Sequence, residues 1–291
     1  MQNADFRLPV RVDSQEAADR VVAEVWSSGA LGIEERTEPG FFELVIYFNR
    51  SGESAIRQAL ERLADTALVV GENEGLGDLD WSEAWKEGLE AIEISPRLVV
   101  RPSFVDHPPR PGQSEVIVDP GCAFGTGGHE STRLALEWVD LLIEADSGPV
   151  RVLDVGTGSG ILALAALKLG ARSAVGFDLD GEAIREARRV ARGNGMADRL
   201  NLFAGPIAAL AAGTFDLVLV NLLRSEMLAI AGEIAGTLSS GSNLVLSGLL
   251  DADRPLVLEA FGEFGLEERS QRSLHDASGE IWISPLLGLP S

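Results

Sequence analysis

The apolar-rich run Phe6–Val12 reads as a strand. The spacing then turns helical, with Ala17, Ala18, Val21, Val22, Val25 and Trp26 recurring behind Ser14, a residue type that caps helix N-termini. Gly29 closes that helix. Leu31–Glu35 and Phe41–Phe48 read as strands on either side of the turn signal Glu38-Pro39-Gly40. Ser54–Ala64 places Ile56, Leu60 and Leu63 on one helical face, and Ala67–Val70 reads as a last short strand. The order βαββαβ predicts a small ferredoxin-like α+β domain over residues 1–72. Such a domain hosts many activities and names none.

A Gly- and acid-rich stretch from Gly71 to Asp80 marks a boundary, and residues 73–95 are expected to form a linker helix in which Trp81 and Trp85 lie one turn apart and dock it between domains. The Pro-rich His107–Gly112 leads into a strand at Glu115–Val118. From Val150 onward, apolar runs (Val150–Val155, Ser173–Phe177, Leu200–Phe203, Phe215–Val220 and Asn243–Ser247) alternate with helical patterns such as Ile161–Leu169 and Glu182–Asn194. Strands that are apolar throughout and separated by helices predict a parallel sheet covered on both faces. Residues 96–291 are therefore expected to form an α/β, doubly wound, Rossmann-like domain. Gly265–Arg269 and Glu280–Ser284 would add two final strands, the last one antiparallel.

The 291 residues carry 24 Lys and Arg against 45 Asp and Glu, a formal net charge of −21. Binding to a phosphate backbone draws most of its affinity from Lys and Arg, so this charge argues against nucleic acid as a direct partner. It suits a solvated acidic surface, or attraction to a basic target. Cys122 is the single cysteine, which excludes an intramolecular disulfide and a multi-thiolate metal site; the three histidines form no ligand cluster either, and no metal is expected. Charges interrupt residues 1–30, and the longest apolar run, Ile161–Leu167, ends at Lys168. That is far short of the roughly 18 residues a membrane span needs. A cytoplasmic, monomeric protein is expected.

In a doubly wound sheet, ligands bind at the carboxyl ends of the strands where strand order reverses. There the first strand of the alternating region runs into Gly156-Thr157-Gly158-Ser159-Gly160. A dinucleotide fingerprint requires glycine at 161, where Ile161 stands, so nicotinamide chemistry is disfavoured, and no phosphate loop of the G-x-x-x-x-G-K-[ST] type occurs. Asp178 closes the next strand, where a carboxylate can accept both hydroxyls of a ribose; Asp180 reads as the N-cap of the following helix. Asn221 ends the fourth strand, offering a carbonyl oxygen and an amide N–H.

Together these features resemble the class I methyltransferases, which use S-adenosylmethionine. The stretch Asp119-Pro-Gly-Cys-Ala-Phe124-Gly-Thr-Gly-Gly-His129-Glu-Ser-Thr132 narrows the likeness. It resembles a signature of the PrmA family, methyltransferases of the large-subunit ribosomal protein L-eleven (L11). Asp80-Trp81, Trp85-Lys86, Pro96–Ser103, Leu153–Ala163 and Asn221-Leu-Leu follow in the family's order, so the match spans nearly the whole chain. The resemblance implies a seven-stranded methyltransferase sheet. It assigns S-adenosylmethionine to Thr132, Gly156, Gly158, Asp178 and Asn221, and the acceptor side to Phe124 and His129. Asn221 would orient the amine through its side-chain carbonyl, with Phe124 as an apolar wall. Two departures stand out: Arg224-Ser225-Glu226-Met227 replaces a small or Pro-containing run, and Thr157 stands where Cys is common.

The implied activity is methyl transfer to lysine side chains or the N-terminus of ribosomal protein L11, with the N-terminal domain reading the substrate. A free lysine titrates near 10.4 and is charged at neutral pH, so such a site must favour the neutral amine by desolvation or release its proton to water. His129 either removes a proton or fixes the Gly-rich turn. Two alternatives remain: the same chemistry on a different protein lysine or a small amine, and a non-catalytic binder of ribosomal proteins.

Overall fold

The computed structural model describes residues 6–38, 41–63, 68–75, 89–108, 110–119, 128–143, 150–276 and 278–289. The chain divides into two compact units, Met1–Gly88 and Leu89–Ser291.

In the first unit, β1 (Phe6–Val12) buries Leu8, Val10 and Val12 by strict alternation. Helix α1 (Gln15–Ser27) starts at Ser14, whose hydroxyl oxygen accepts from the Ala17 N–H at 3.4 Å. It buries Ala17, Ala18, Val21 and Val25. β2 (Gly32–Glu38), β3 (Phe41–Phe48), α2 (Glu53–Arg62) and β4 (Leu68–Val70) complete the expected βαββαβ order. The strands pair antiparallel in the order β2-β3-β1-β4, and both helices share one apolar core with the sheet. β5 (Glu74–Gly75) pairs with the start of β1.

The second unit opens with a three-stranded sheet of β6 (Ile92–Ser95), β7 (Leu98–Arg101) and β8 (Ser114–Ile117), followed by α3 (Glu130–Leu142). Both described ends of the 73–95 stretch expected as a linker helix are therefore strands. Each is hydrogen-bonded into a sheet of its own unit, because Ile92–Ser95 finds a backbone partner in β7. Residues 76–88, with Trp81 and Trp85, lie outside the described residues.

The main sheet contains β9 (Arg151–Val155), β10 (Ser173–Asp178), β11 (Leu200–Ala204), β12 (Phe215–Asn221), β13 (Leu238–Ser247), β14 (Leu249–Leu250), β15 (Glu267–His275) and β16 (Ile281–Gly288). Its order is β11-β10-β9-β12-β13-β16-β14, with β15 on β16; β9 to β13 are parallel and β16 antiparallel. The seven-stranded expectation thus gains an eighth, two-residue strand at Leu249–Leu250, which pairs with Trp282 and Ile283. β15 runs to His275, well past the expected Gly265–Arg269, because its backbone pairs with β16 along its length although its sequence is largely polar. His275 ends that strand.

Helix α4 (Ile161–Leu169) buries every residue from Ile161 to Leu167, since α3 and β8 pack against it on the side away from the sheet. α5 (Gly181–Gly193) is amphipathic instead, burying Ala183, Ile184, Ala187, Val190 and Ala191. α6 (Arg224–Ala229), α7 (Ala231–Thr237) and α8 (Arg254–Gly262) cover the opposite face. Among the described residues no helix is long and apolar enough to cross a membrane.

Candidate active site

Strand order reverses between β9 and β12, and their registers bring Val155 beside Val220. The loop beginning at Gly156 and the side chain of Asn221 therefore leave the sheet next to each other. A cavity of about 1130 Å³ opens at this point, lined by Thr132, Gly156, Gly158, Asp178 and Asn221 together. Five of the residues singled out from sequence, spread over about ninety positions, thus share one wall, and His129 lines the same cavity. Phe124 and Cys122 lie outside the described residues.

The loop after β9 is built on left-handed glycines: Gly156, Gly158 and Gly160 have φ of 65°, 53° and 82°. L side chains rarely adopt this conformation. A Cβ on Gly156 would also lie 2.4 Å from Leu222 Cδ2, so the loop and the segment after Asn221 are packed in direct contact. Asp178 clamps the loop from the next strand. One carboxylate oxygen accepts from the Gly158 N–H at 3.1 Å and the other from the Asp180 N–H at 3.0 Å. A carboxylate has about four lone-pair positions, so two stay available to hydroxyl donors. Asp180 caps α5 as expected, accepting from the Glu182 N–H at 2.8 Å.

On the far side, Asn221 Nδ2 donates to Thr132 Oγ1 at 3.3 Å, tying β12 to the first turn of α3. Ser247 Oγ donates to the Ser131 carbonyl at 2.7 Å and ties β13 to the same turn. His129 caps α3: its Nδ1 accepts from the Ser131 N–H at 3.2 Å and pairs with the Ser131 hydroxyl at 2.8 Å. In the neutral ring the proton then sits on Nε2, so the nitrogen a base would use is already engaged in capping. A Cβ on Gly248 (φ 82°) would lie 2.5 Å from the Leu222 carbonyl oxygen and 3.1 Å from Asn221 Oδ1. Two acceptor oxygens therefore converge there.

Several lining residues carried no assignment from sequence. Asp154 is 2% exposed, its Oδ2 accepting from Thr157 Oγ1 at 2.8 Å and from the Ala163 N–H at 3.2 Å. Burial pushes its carboxyl up to about 7; the two hydrogen bonds oppose that rise, and the charge of Asp178 adds to it. A carboxylate inside an otherwise apolar strand was the available signal. Thr157, standing where Cys is common, donates one of the two hydrogen bonds to Asp154. Trp282 lines the cavity from β16, and Glu226 and Glu233 do so from α6 and α7. Asp178, Asp180, Glu226 and Glu233 supply the lining's charge, and neither Lys nor Arg appears among the described lining residues. Such a wall favours a cationic occupant. The departing segment after Asn221 starts α6, with Arg224 ion-paired to Asp253 at 2.5 Å and Met227 fully buried. No described group of His, Cys, Asp and Glu is arranged to hold a metal ion.

Residues 14–276 match a family model described as ribosomal protein L11 methyltransferase (PrmA). A ribosomal protein L11 methyltransferase of Syntrophotalea carbinolica is 42% identical over 221 residues, which cover 74% of this chain and 72% of the relative. One from Geobacter sulfurreducens is 42% identical over 189 residues, covering 65% of this chain and 61%, less than two thirds, of the relative. Among solved structures, the ribosomal protein L11 methylase of Lactobacillus delbrueckii subsp. bulgaricus superposes with a TM-score of 0.61 at 30% identity, covering 69% of this chain and 100% of that one.

Proposed function

The chain belongs to the family of ribosomal protein L11 methyltransferases (PrmA), and from that membership we propose that it transfers methyl groups from S-adenosylmethionine to amines of ribosomal protein L11, lysine side chains or the N-terminus. The observation that carries this reading is the single cavity in which a Gly-rich loop and a ribose-competent carboxylate face the paired oxygens of Asn221 and Leu222.

The residues present fit the donor. Gly156 leaves the loop bare of side chains, Asp178 keeps acceptor capacity for two hydroxyls, and the acidic lining favours a positive charge. When bound, S-adenosylmethionine supplies a methyl group on a sulfonium, which an amine lone pair displaces in line as the positive charge moves from sulfur to nitrogen. The chain's own part is alignment and desolvation. One N–H of Asn221 Nδ2 is donated to Thr132, which orients the amide so that Oδ1 and the Leu222 carbonyl accept the N–H groups of an incoming amine and aim its lone pair. Leu222 and Leu223 give the rim an apolar character that favours the neutral amine. Because His129 Nδ1 is engaged at its helix, proton release is assigned to water and not to this ring.

The unit Met1–Gly88 reads the protein substrate, and the enzyme works in the cytoplasm, where ribosomal proteins are made. The test is incubation of the purified protein with ribosomal protein L11 and S-adenosylmethionine, read by intact mass. Stepwise methyl increments are expected. Cofactor binding by calorimetry without any increment would point to a different acceptor, and failure to bind the cofactor would remove the methyltransferase reading.

A further inference from the structure

Trp282 forms part of the cavity wall, contributed neither by the Gly-rich loop nor by the strand of Asp178 but by the returning strand β16. It lies on β16 in register with Leu250 of β14 and Leu274 of β15, and its indole lines the cavity beside His129. The two rings meet edge to face, with centroids 4.5 Å apart at 83°. Behind the indole stands Asp276, at the turn between β15 and β16. One of its oxygens accepts from the Ser278 N–H at 2.9 Å, the Ser278 hydroxyl at 2.7 Å and the Glu280 N–H at 2.9 Å. The other accepts from Trp282 Nε1 at 3.1 Å.

We propose that Asp276 is a positioning residue for methyl transfer, acting through the Trp282 indole on His129 and so on the cavity wall next to Asn221; this rests on the methyltransferase reading above. Asp276 is not among the cavity's lining residues, so its influence must pass through the ring it holds. The charged acceptor is matched to the site: four donors converge on it, and they hold its carboxyl down to about 2, so the anchor is ionised at any working pH. His129 is fixed from its other side by Ser131, and Thr132, three positions on, meets Asn221. The indole therefore packs against the residue that caps the first turn of α3, the turn that orients the Asn221 amide through Thr132. Transfer at near-attack distance is sensitive to such placement, a shift of about 1 Å costing roughly a hundredfold.

Asp276→Asn separates anchoring from turn formation. Its Oδ1 still accepts from the turn's N–H groups, whereas Nδ2 has no lone pair for the indole. Trp282→Phe removes the N–H and keeps an aromatic ring. In the cofactor-free protein, Asp276→Asn is expected to move the Trp282 indole N–H resonance and, through the displaced ring current, the His129 ring protons, assigned against His129→Asn. In the assay with ribosomal protein L11, kcat/KM for the acceptor is expected to fall about tenfold, while S-adenosylhomocysteine affinity stays at the wild-type value and the variant, with a lowered unfolding midpoint, is still fully folded at the assay temperature. The double variant should be no worse than Trp282→Phe alone. Unmoved His129 signals in Asp276→Asn, or effects of the two substitutions that multiply independently, would overturn the proposal. A wild-type protein that leaves ribosomal protein L11 unmodified would instead sink the assigned function, and the resonance measurement would still decide the Asp276–Trp282–His129 connection.

Discussion

Asn221 and Thr132, 89 positions apart in the chain, face each other across the carboxyl edge of the sheet, with the amide Nδ2 donating to the threonine hydroxyl oxygen at 3.3 Å. An Asn amide has two ends of opposite character, and this bond decides which end faces Thr132. The carbonyl oxygen is thereby directed to the space beside Gly248 and the Leu222 carbonyl. Asn221→Ala should accordingly cut the rate of methyl transfer by about 10²–10³-fold and change cofactor affinity much less. Single-turnover mass measurements beside calorimetry test this, and near-wild-type turnover would refute the assignment of Asn221.

Asp178 holds the glycine loop through Gly158 and offers the remaining lone pairs to the cofactor ribose. Hydrogen bonds to a charged group contribute about 1.5–3 kcal/mol each, so Asp178→Ala should raise the cofactor dissociation constant at least tenfold. Titration with S-adenosylhomocysteine measures this without any protein substrate.

Burial lifts the Asp154 carboxyl from 3.8 to about 7 in the folded chain. The native state then binds more protons than the unfolded one between those values. Stability therefore falls as pH rises from about 4 to about 7 and levels off above, a loss of up to about 4 kcal/mol from this group. Asp154→Asn, whose carbonyl oxygen can still accept from Thr157 and Ala163, should flatten that part of the profile. Urea midpoints at successive pH values provide the comparison. A cationic cofactor favours the ionised form, so its affinity should climb through pH 7 in the wild type and stay flat in Asp154→Asn.

Glycine replacements at two loop positions should rank by what the new Cβ meets. At Gly156 it meets Leu222 Cδ2, the tip of a side chain that can rotate; at Gly248 it meets the Leu222 carbonyl oxygen, which is backbone. Both sites have positive φ, a strain of about 1–3 kcal/mol for a residue other than glycine. Gly248→Ala should therefore destabilise more in chemical denaturation, and it should also abolish transfer by filling the space in front of Asn221.

Net charge bears on the kinetics. A chain at −21 gains association rate with a basic protein substrate at low salt. The KM for ribosomal protein L11 should rise with ionic strength while that for the cofactor stays nearly constant, and a salt-independent value would argue against electrostatic capture.

Local sequence determined a large part of this protein. Continuous apolar runs marked β9 to β12 closely, the Ser14 and Asp180 caps fell where expected, and Gly156, Asp178 and Asn221 were legible because each sits at the end of a strand whose apolar pattern announces it. What escaped depends on partners distant in the chain. β15 is polar and is a strand because β16 pairs with it; Ile92–Ser95 left the expected linker because β7 was at hand. Asp154 was visible as a letter, yet its raised titration comes from the layers that bury it and from Asp178 on the next strand. Trp282, 153 positions beyond His129, joined the cavity only through the antiparallel return of β16 between β13 and β15. Periodicity records how a segment meets water and its own backbone; which ring lies against which, and which end of an amide is spoken for, is settled when the strands assemble.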